Sequence, residues 1–167
     1  MPAPPGLRGS AAEMVATVPL PQPFSMSDYL RRIEALRATR IFVEPAAGLL
    51  PPGAPCGLWV HIDGTDFIFH APSSSPAYVD HIVRHELGHL LWEHSGSAGL
   101  SEEYVARLLP DLDPTMAVKV LGRASYNTEQ ERQAETFARL LAAVIRRQGP
   151  RDDHQPGALG VIDRLFG

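Results

Sequence analysis

The sequence predicts an α+β fold: a small antiparallel sheet of about three strands packed on several helices. Two observations carry this. Two β-prone runs, Leu58–Ile62 and Asp66–His70, flank an Asp63-Gly64 pair, which is a hairpin signal. Two longer stretches, around Tyr78–His94 and Thr128–Arg147, repeat apolar residues at helical spacing. A chain of 167 residues, 44% hydrophobic and 20% charged, suits a single domain with a buried core.

The elements follow in chain order. Residues 1–24 hold Pro2, Pro4, Pro5, Pro19, Pro21 and Pro23 and are expected to form a disordered N-terminal arm. The domain is expected over residues 25–150. Ser27–Arg40 reads as a helix capped by Ser25 or Ser27, with Tyr29, Leu30, Ile33 and Leu36 on its apolar side. Ile41–Val43 is a short strand and Pro45–Pro55 a loop rich in Pro and Gly. After the hairpin, Pro76 stands where a first-turn helical proline is tolerated, and Tyr78–His94 is the best-patterned helix, stopped by Ser95-Gly96. Glu102–Leu109 predicts a shorter helix, and a further one starts at Asp113-Pro114 and runs to Leu121-Gly122. Asn127 or Thr128 caps a last long helix that reaches about Arg147. The tail, residues 151–167, has room for one short helix near Val161–Leu165.

Composition excludes several classes. A net charge of −4 is the wrong sign for phosphate-driven nucleic-acid binding. Cys56 is the only cysteine, so there is no disulfide framework, and it is expected as a small buried hydrophobe. The apolar run Leu140–Ile145 is far short of a membrane span. Glu13 and the prolines interrupt any apolar core of a secretory signal, so a cytoplasmic location is expected.

One motif carries chemistry. His85-Glu86-Leu87-Gly88-His89 is HExxH inside the best helix. Residues four apart on a helix sit one above the other, so both imidazoles can converge on one ion, and zinc takes such nitrogens. Glu86, one residue on, is turned aside and stands where a general base for an attacking water belongs. A third ligand must come from elsewhere. A histidine six residues after His89 is excluded because Ser95 stands there; His94 is one position off and lies past the useful turn. In the last helix Glu131, Glu135, Ala138, Ala142 and Ile145 recur on one stripe. Two carboxylates on a packed face are costly unless they are paired or bind a metal. Glu131 is assigned as ligand, with Glu135 one turn on holding a histidine N–H. Glu135 as the direct ligand remains the alternative. Glu131 could instead serve a capping box with Thr128, although Asn127 with Gln130 makes that box without it.

Four other readings belong with this site. His81 is expected half exposed or behind the ligands, because two helical turns span about 10.8 Å and one ion cannot take all three histidines. Tyr126 is a candidate to polarise a substrate carbonyl, with simple packing as the alternative. Trp59 and Trp92 are expected in the core or at an interface, not in a substrate pocket. The strand Asp66–His70 is a candidate sheet edge for an extended substrate.

On these motifs the chain resembles the ImmA/IrrE family of metallopeptidases, thermolysin-like zinc enzymes with a zincin-like fold. The likeness runs from about Tyr29 to Ile145 through the hairpin, "HIVRHELGHLL" (His81–Leu91) and "EQERQAETFARLL" (Glu129–Leu141). Around the third ligand the family pattern is E-x-E-A-N/D-x-F-A; Glu131, Ala134, Phe137 and Ala138 match it, while Gln133 and Glu135 depart. The extra segment "LSEEYVARLLPDLDPTMAVKVLGRASY" is similar to the actinobacterial branch and is expected as a lid or a partner surface. The resemblance implies a zinc metallo-endopeptidase that cleaves a protein, a helix-turn-helix transcription regulator in particular. The alternative is a catalytically silent binding module of the same fold that regulates such a factor. Glu86 favours the enzyme, since a pure binder needs no base there.

Overall fold

A computed structural model describes residues 8–46, 56–94, 98–99, 103, 106–107, 109–111 and 121–149. Helix α1 (Ala11–Thr17) begins at a complete capping box: Ser10 accepts from the Glu13 N–H, and the Glu13 carboxylate accepts from the Ser10 N–H. Met14 and Val18 are buried in the main core. The expected disordered arm is therefore corrected over this stretch. Its prolines flank the helix instead of interrupting it, and two apolar side chains anchor it.

Helix α2 (Met26–Arg37) starts at Ser25 and buries Tyr29, Ile33 and Arg37, one residue per turn. Ala38 takes a left-handed conformation and turns the chain into strand β1 (Arg40–Pro45). Strands β2 (Gly57–Ile62) and β3 (Thr65–His70) form the expected hairpin. Asp63 (φ 44°) and Gly64 (φ 77°) are both left-handed, as a two-residue hairpin turn requires.

Helix α3 (Pro76–Trp92) is capped by Ser75, which accepts from the Tyr78 N–H. It ends earlier than expected. Glu93 adopts φ 49°, and the chain leaves the helix there, before Ser95-Gly96. Glu103, Ala106 and Arg107 are helical, within the expected 102–109 helix. Strands β4 (Ala98–Gly99) and β5 (Leu121–Ser125) follow, then helix α4 (Thr128–Arg147), capped by Asn127. Leu121 and Gly122, expected to end a helix, belong to β5 instead, because they pair with His61 and Val60 of β2. The rest of that expected helix and the 151–167 tail lie outside the described residues.

The α+β class holds, but the sheet is mixed. Its order is β1-β3-β2-β5-β4, with β1 parallel to β3 and the other pairs antiparallel. Strand β3 is thus interior, paired on both sides, and cannot serve as the edge for a substrate. Side chains alternate across the sheet. Trp59 and Ile68 face the helices and join Met14, Tyr29, Ile33, Val83, Leu87, Leu90, Leu91, Phe137 and Leu141 in one core. Leu58, Val60, Ile62 and Phe69 form a smaller cluster on the other face. Trp59 is buried as expected, and Trp92 packs against the core. No described helix is long and apolar enough to cross a membrane.

Candidate metal centre

The site is built where α3 crosses α4. The apolar side of α3 (Ile82, Val83, Leu87, Leu90, Leu91) is buried, which fixes its rotation and turns His85 and His89 toward α4. The crossing is unusually close at Gly88. A Cβ built there would stand 2.8 Å from the Cα of Ala134 and 3.1 Å from its Cβ. On α4 the buried residues are Ala134, Phe137, Ala138 and Leu141. Glu131 and Glu135 border this stripe, half buried. Asn127 and Gln130 complete the capping box, which leaves the Glu131 carboxylate to the site.

Three side chains converge. His85 Nε2 lies 3.1 Å from Glu131 Oε2 and 3.1 Å from His89 Nε2. His89 Nε2 lies 3.6 Å from Glu131 Oε1. One donor atom from each of His85, His89 and Glu131 falls within 4.8 Å of the others, so the three could hold a metal ion. Glu135 stands behind His85, with Oε2 3.3 Å from Nδ1; it also accepts from Arg139 at 2.7 Å and lies 3.4 Å from His81 Nε2. His81 is half buried and outside the triad, as its spacing predicts.

Glu86 is buried among Ile82, Gly57 and Trp59, and its Oε2 has no hydrogen-bond partner among the described residues. Gly57 makes room for it, since a Cβ there would be 2.6 Å from Glu86 Oε1 and 2.6 Å from Ile82 Cγ2. A cavity of about 330 Å³ opens over this carboxylate, and His85, Glu131, Tyr126, Tyr78 and Cys56 also line it. Tyr126 stacks flat on the His89 ring, centroids 3.6 Å apart. Cys56 is exposed and accepts a hydrogen bond from the Tyr78 hydroxyl at 2.9 Å. The expectation of a buried thiol is corrected; Cys56 stands just before β2, at the cavity wall, and is exposed there.

The electrostatics follow from burial and charge. Burial pushes the Glu86 carboxyl up to about 8, against the neighbouring His85. The hydrogen bond from His85, with the His89 ring alongside, holds Glu131 far below the usual carboxylate range. Burial opposes protonation of His85, but the carboxylates of Glu131, Glu86 and Glu135 prevail and raise it. Burial wins at His89 and lowers it. Glu135 is lowered: its partial burial works the other way, but Arg139, His81 and His85 outweigh it.

Four contributors are not read from the sequence. Gly57 and Gly88 act through close approach, which no spacing rule encodes. His94 and Gln133 extend the site behind His89: His89 Nδ1 is 2.9 Å from His94 Nδ1, and His94 Nε2 is 2.9 Å from Gln133 Oε1. His94 is not a ligand, but neither is it remote. The turn at Glu93 folds it back onto the helix end, with its N–H on the His89 carbonyl at 3.0 Å.

Fold and site together define an α+β chain with a two-histidine, one-glutamate cluster on two packed helices and a buried carboxylate beside it. No family model, curated protein or solved structure matches this chain.

Proposed function

We propose that the chain is a zinc-dependent metallo-endopeptidase. The observation that carries this reading is the convergence of His85 Nε2, His89 Nε2 and the Glu131 carboxylate beside a buried Glu86 whose Oε2 has no partner among the described residues. The donor set fits zinc. Four ligands in a tetrahedron at about 2.0–2.1 Å stand about 3.3 Å from one another. Here His85 Nε2 is 3.1 Å from His89 Nε2 and 3.1 Å from Glu131 Oε2, and Glu131 Oε1 is 3.6 Å from His89 Nε2, so each carboxylate oxygen faces one imidazole. Two imidazoles and one carboxylate would be three protein ligands, the number that catalytic zinc sites use.

Held by these three residues, zinc supplies a Lewis acid and lowers the pKa of water toward about 7. Glu86 provides the base. Its seat between Gly57 and Ile82 fixes the carboxylate at the cavity wall, and burial gives it a high proton affinity, pushed up to about 8. A nearby cation draws that value down, toward the poise a base needs at neutral pH. Glu86 takes the proton of the attacking water and returns it to the leaving amine. Tyr126 lines the same cavity, and its hydroxyl is the group we assign to polarise the scissile carbonyl.

The substrate is a protein in this reading, and the sequence resemblance points to a helix-turn-helix regulator. The start of β2 reaches the cavity through Gly57, ahead of Val60 and His61, where β5 pairs with it. An extended substrate segment beside this start of β2 would be cut in an exposed linker, not inside a helix.

The test pairs wild type with Glu86→Gln. Elemental analysis after dialysis should find one zinc per chain in both, and mass spectrometry after incubation with a neighbouring-gene regulator should find fragments only with wild type. Equal fragments from both remove Glu86 from the chemistry. Equal binding with no cleavage by either favours the binding module. Failure to take up zinc sinks the reading.

A further inference from the structure

We infer that Gln133, acting through His94, sets which nitrogen of His89 carries the ring proton, and so holds Nε2 as a lone pair facing the metal. The inference rests on the metal-centre reading above and names a positioning device for it. The polarity can be followed along the chain of contacts from its far end. Gln133 Oε1 is a carbonyl oxygen and only accepts, so the 2.9 Å contact puts a hydrogen on His94 Nε2. In a neutral imidazole the other nitrogen then accepts. His94 Nδ1 therefore receives the hydrogen of His89 Nδ1 across 2.9 Å, which leaves His89 Nε2 unprotonated.

The elements around His94 make this geometry specific. Glu93 takes the left-handed conformation (φ 49°), and the His94 N–H closes on the His89 carbonyl at 3.0 Å, so backbone and ring of His94 both address His89. Arg37 anchors that turn by donating to the Glu93 carboxylate at 3.0 Å. The Trp92 indole lies parallel to the His94 ring, centroids 5.7 Å apart, and Phe137 meets that indole edge-on. His94 is 5% exposed, so water competes poorly for its nitrogens.

The two ligand histidines are thus oriented by different chemistry. His85 faces the Glu135 carboxylate, an ionic acceptor that makes its ring more basic. His89 faces a neutral imidazole whose polarity is set by an amide. The arrangement aligns the second ring without placing another charge in the buried end of the site.

The test uses zinc as probe and three proteins: wild type, Gln133→Met and Gln133→Glu. Met keeps the length and removes the acceptor; Glu keeps an acceptor oxygen. Zinc affinity is read by competition with a chromophoric chelator. The His89 tautomer is read in the zinc-free proteins by long-range proton–nitrogen correlation spectra. Gln133→Met should weaken zinc by about 10–100-fold, as losses behind a ligand do, and should leave His89 as a mixture of tautomers. Gln133→Glu should restore affinity to within about threefold of wild type and the Nδ1–H form. Wild-type affinity and an unchanged tautomer in Gln133→Met would overturn the inference. So would equal losses in the Met and Glu variants, which a purely structural role predicts. Failure of wild type to take up zinc would instead overturn the metal reading and the role in metal binding with it, while the spectra would still decide the hydrogen-bond chain.

Discussion

Replacing Gly88 with alanine tests whether the close crossing of α3 and α4 sets the metal geometry. The added Cβ would stand 2.8 Å from the Ala134 Cα, 3.1 Å from its Cβ and 3.3 Å from its carbonyl oxygen. Ordinary carbon–carbon contacts are about 3.5–4.0 Å, so the helices must part by roughly 0.7 Å. The obstacle is backbone, and no rotamer change relieves it. Overpacking of this kind costs about 1–3 kcal/mol, and replacing a mid-helix glycine returns about 0.5–1 kcal/mol. The net cost is about 0–2 kcal/mol, a fall of only a few degrees in Tm. The metal site is far less tolerant. Glu131 precedes Ala134 by one turn, so it moves with it, whereas ligand distances must hold to about 0.2 Å. Gly88→Ala should therefore fold and yet bind zinc at least about tenfold more weakly. Chelator competition and thermal unfolding of the zinc-free protein measure the two effects separately. Adding Ala134→Gly removes the 3.1 Å contact but not the 2.8 Å one, so it should recover only part of the loss. Wild-type zinc affinity in Gly88→Ala would refute the reasoning, as would a loss of affinity no larger than the loss of stability.

Three further outcomes are expected. Glu131→Ala should remove most zinc binding and Glu135→Ala should weaken it by about 10–100-fold; the opposite order by chelator competition would show the ligand register on α4 to be wrong. Glu86→Gln should stabilise the zinc-free protein at neutral pH. A carboxyl raised to about 8 costs stability as pH climbs from its unfolded value, so the gain should reach at most about 4 kcal/mol near pH 7.5 and vanish near pH 4.5, by denaturant melts at each pH. Asp66 is fully buried; desolvation opposes its charge, but hydrogen bonds from His61 and Trp59 and the charge of Arg37 hold its carboxyl below the usual range. That stability is present above the unfolded value of about 3.9 and is lost as pH falls through the folded one, so Asp66→Asn should cost about 3 kcal/mol at neutral pH, with the deficit narrowing below about pH 4.

The local code was legible where one residue type dictates one conformation. Asp63-Gly64 specified the hairpin turn, Pro76 the first turn of α3, and Asn127 with Gln130 the start of α4. HExxH spacing brought His85 and His89 together, and Glu131 joins them with Glu135 behind, the order that the packed stripe suggested. What was not legible depends on partners distant in the chain. The parallel pairing of β1 with β3 and the assignment of Leu121-Gly122 to a strand are decided by which edge is available, not by the residues' own preference. The helix stop at Glu93 broke the glycine rule, since a non-glycine residue took the left-handed position while ion-paired to Arg37. Helix α1 was hidden because proline content outweighed a short capping box.

Local rules are broken most densely at the site. Gly88 lowers helix propensity inside α3, where alanine would favour the helix. Glu86 is a buried carboxylate with an oxygen lacking a partner among the described residues, on a helix whose other core positions are mostly apolar. Glu93 accepts a backbone conformation that favours glycine. Each departure alone works against stability. Each also serves the geometry of the site. Gly88 lets Glu131 reach the imidazoles, Gly57 seats Glu86 at the cavity, and Glu93 returns His94 to His89. A core optimised for packing would have no reason to concentrate these costs within two turns of one helix. Their coincidence around His85, His89 and Glu131 is what the proposed metal centre and its base would require.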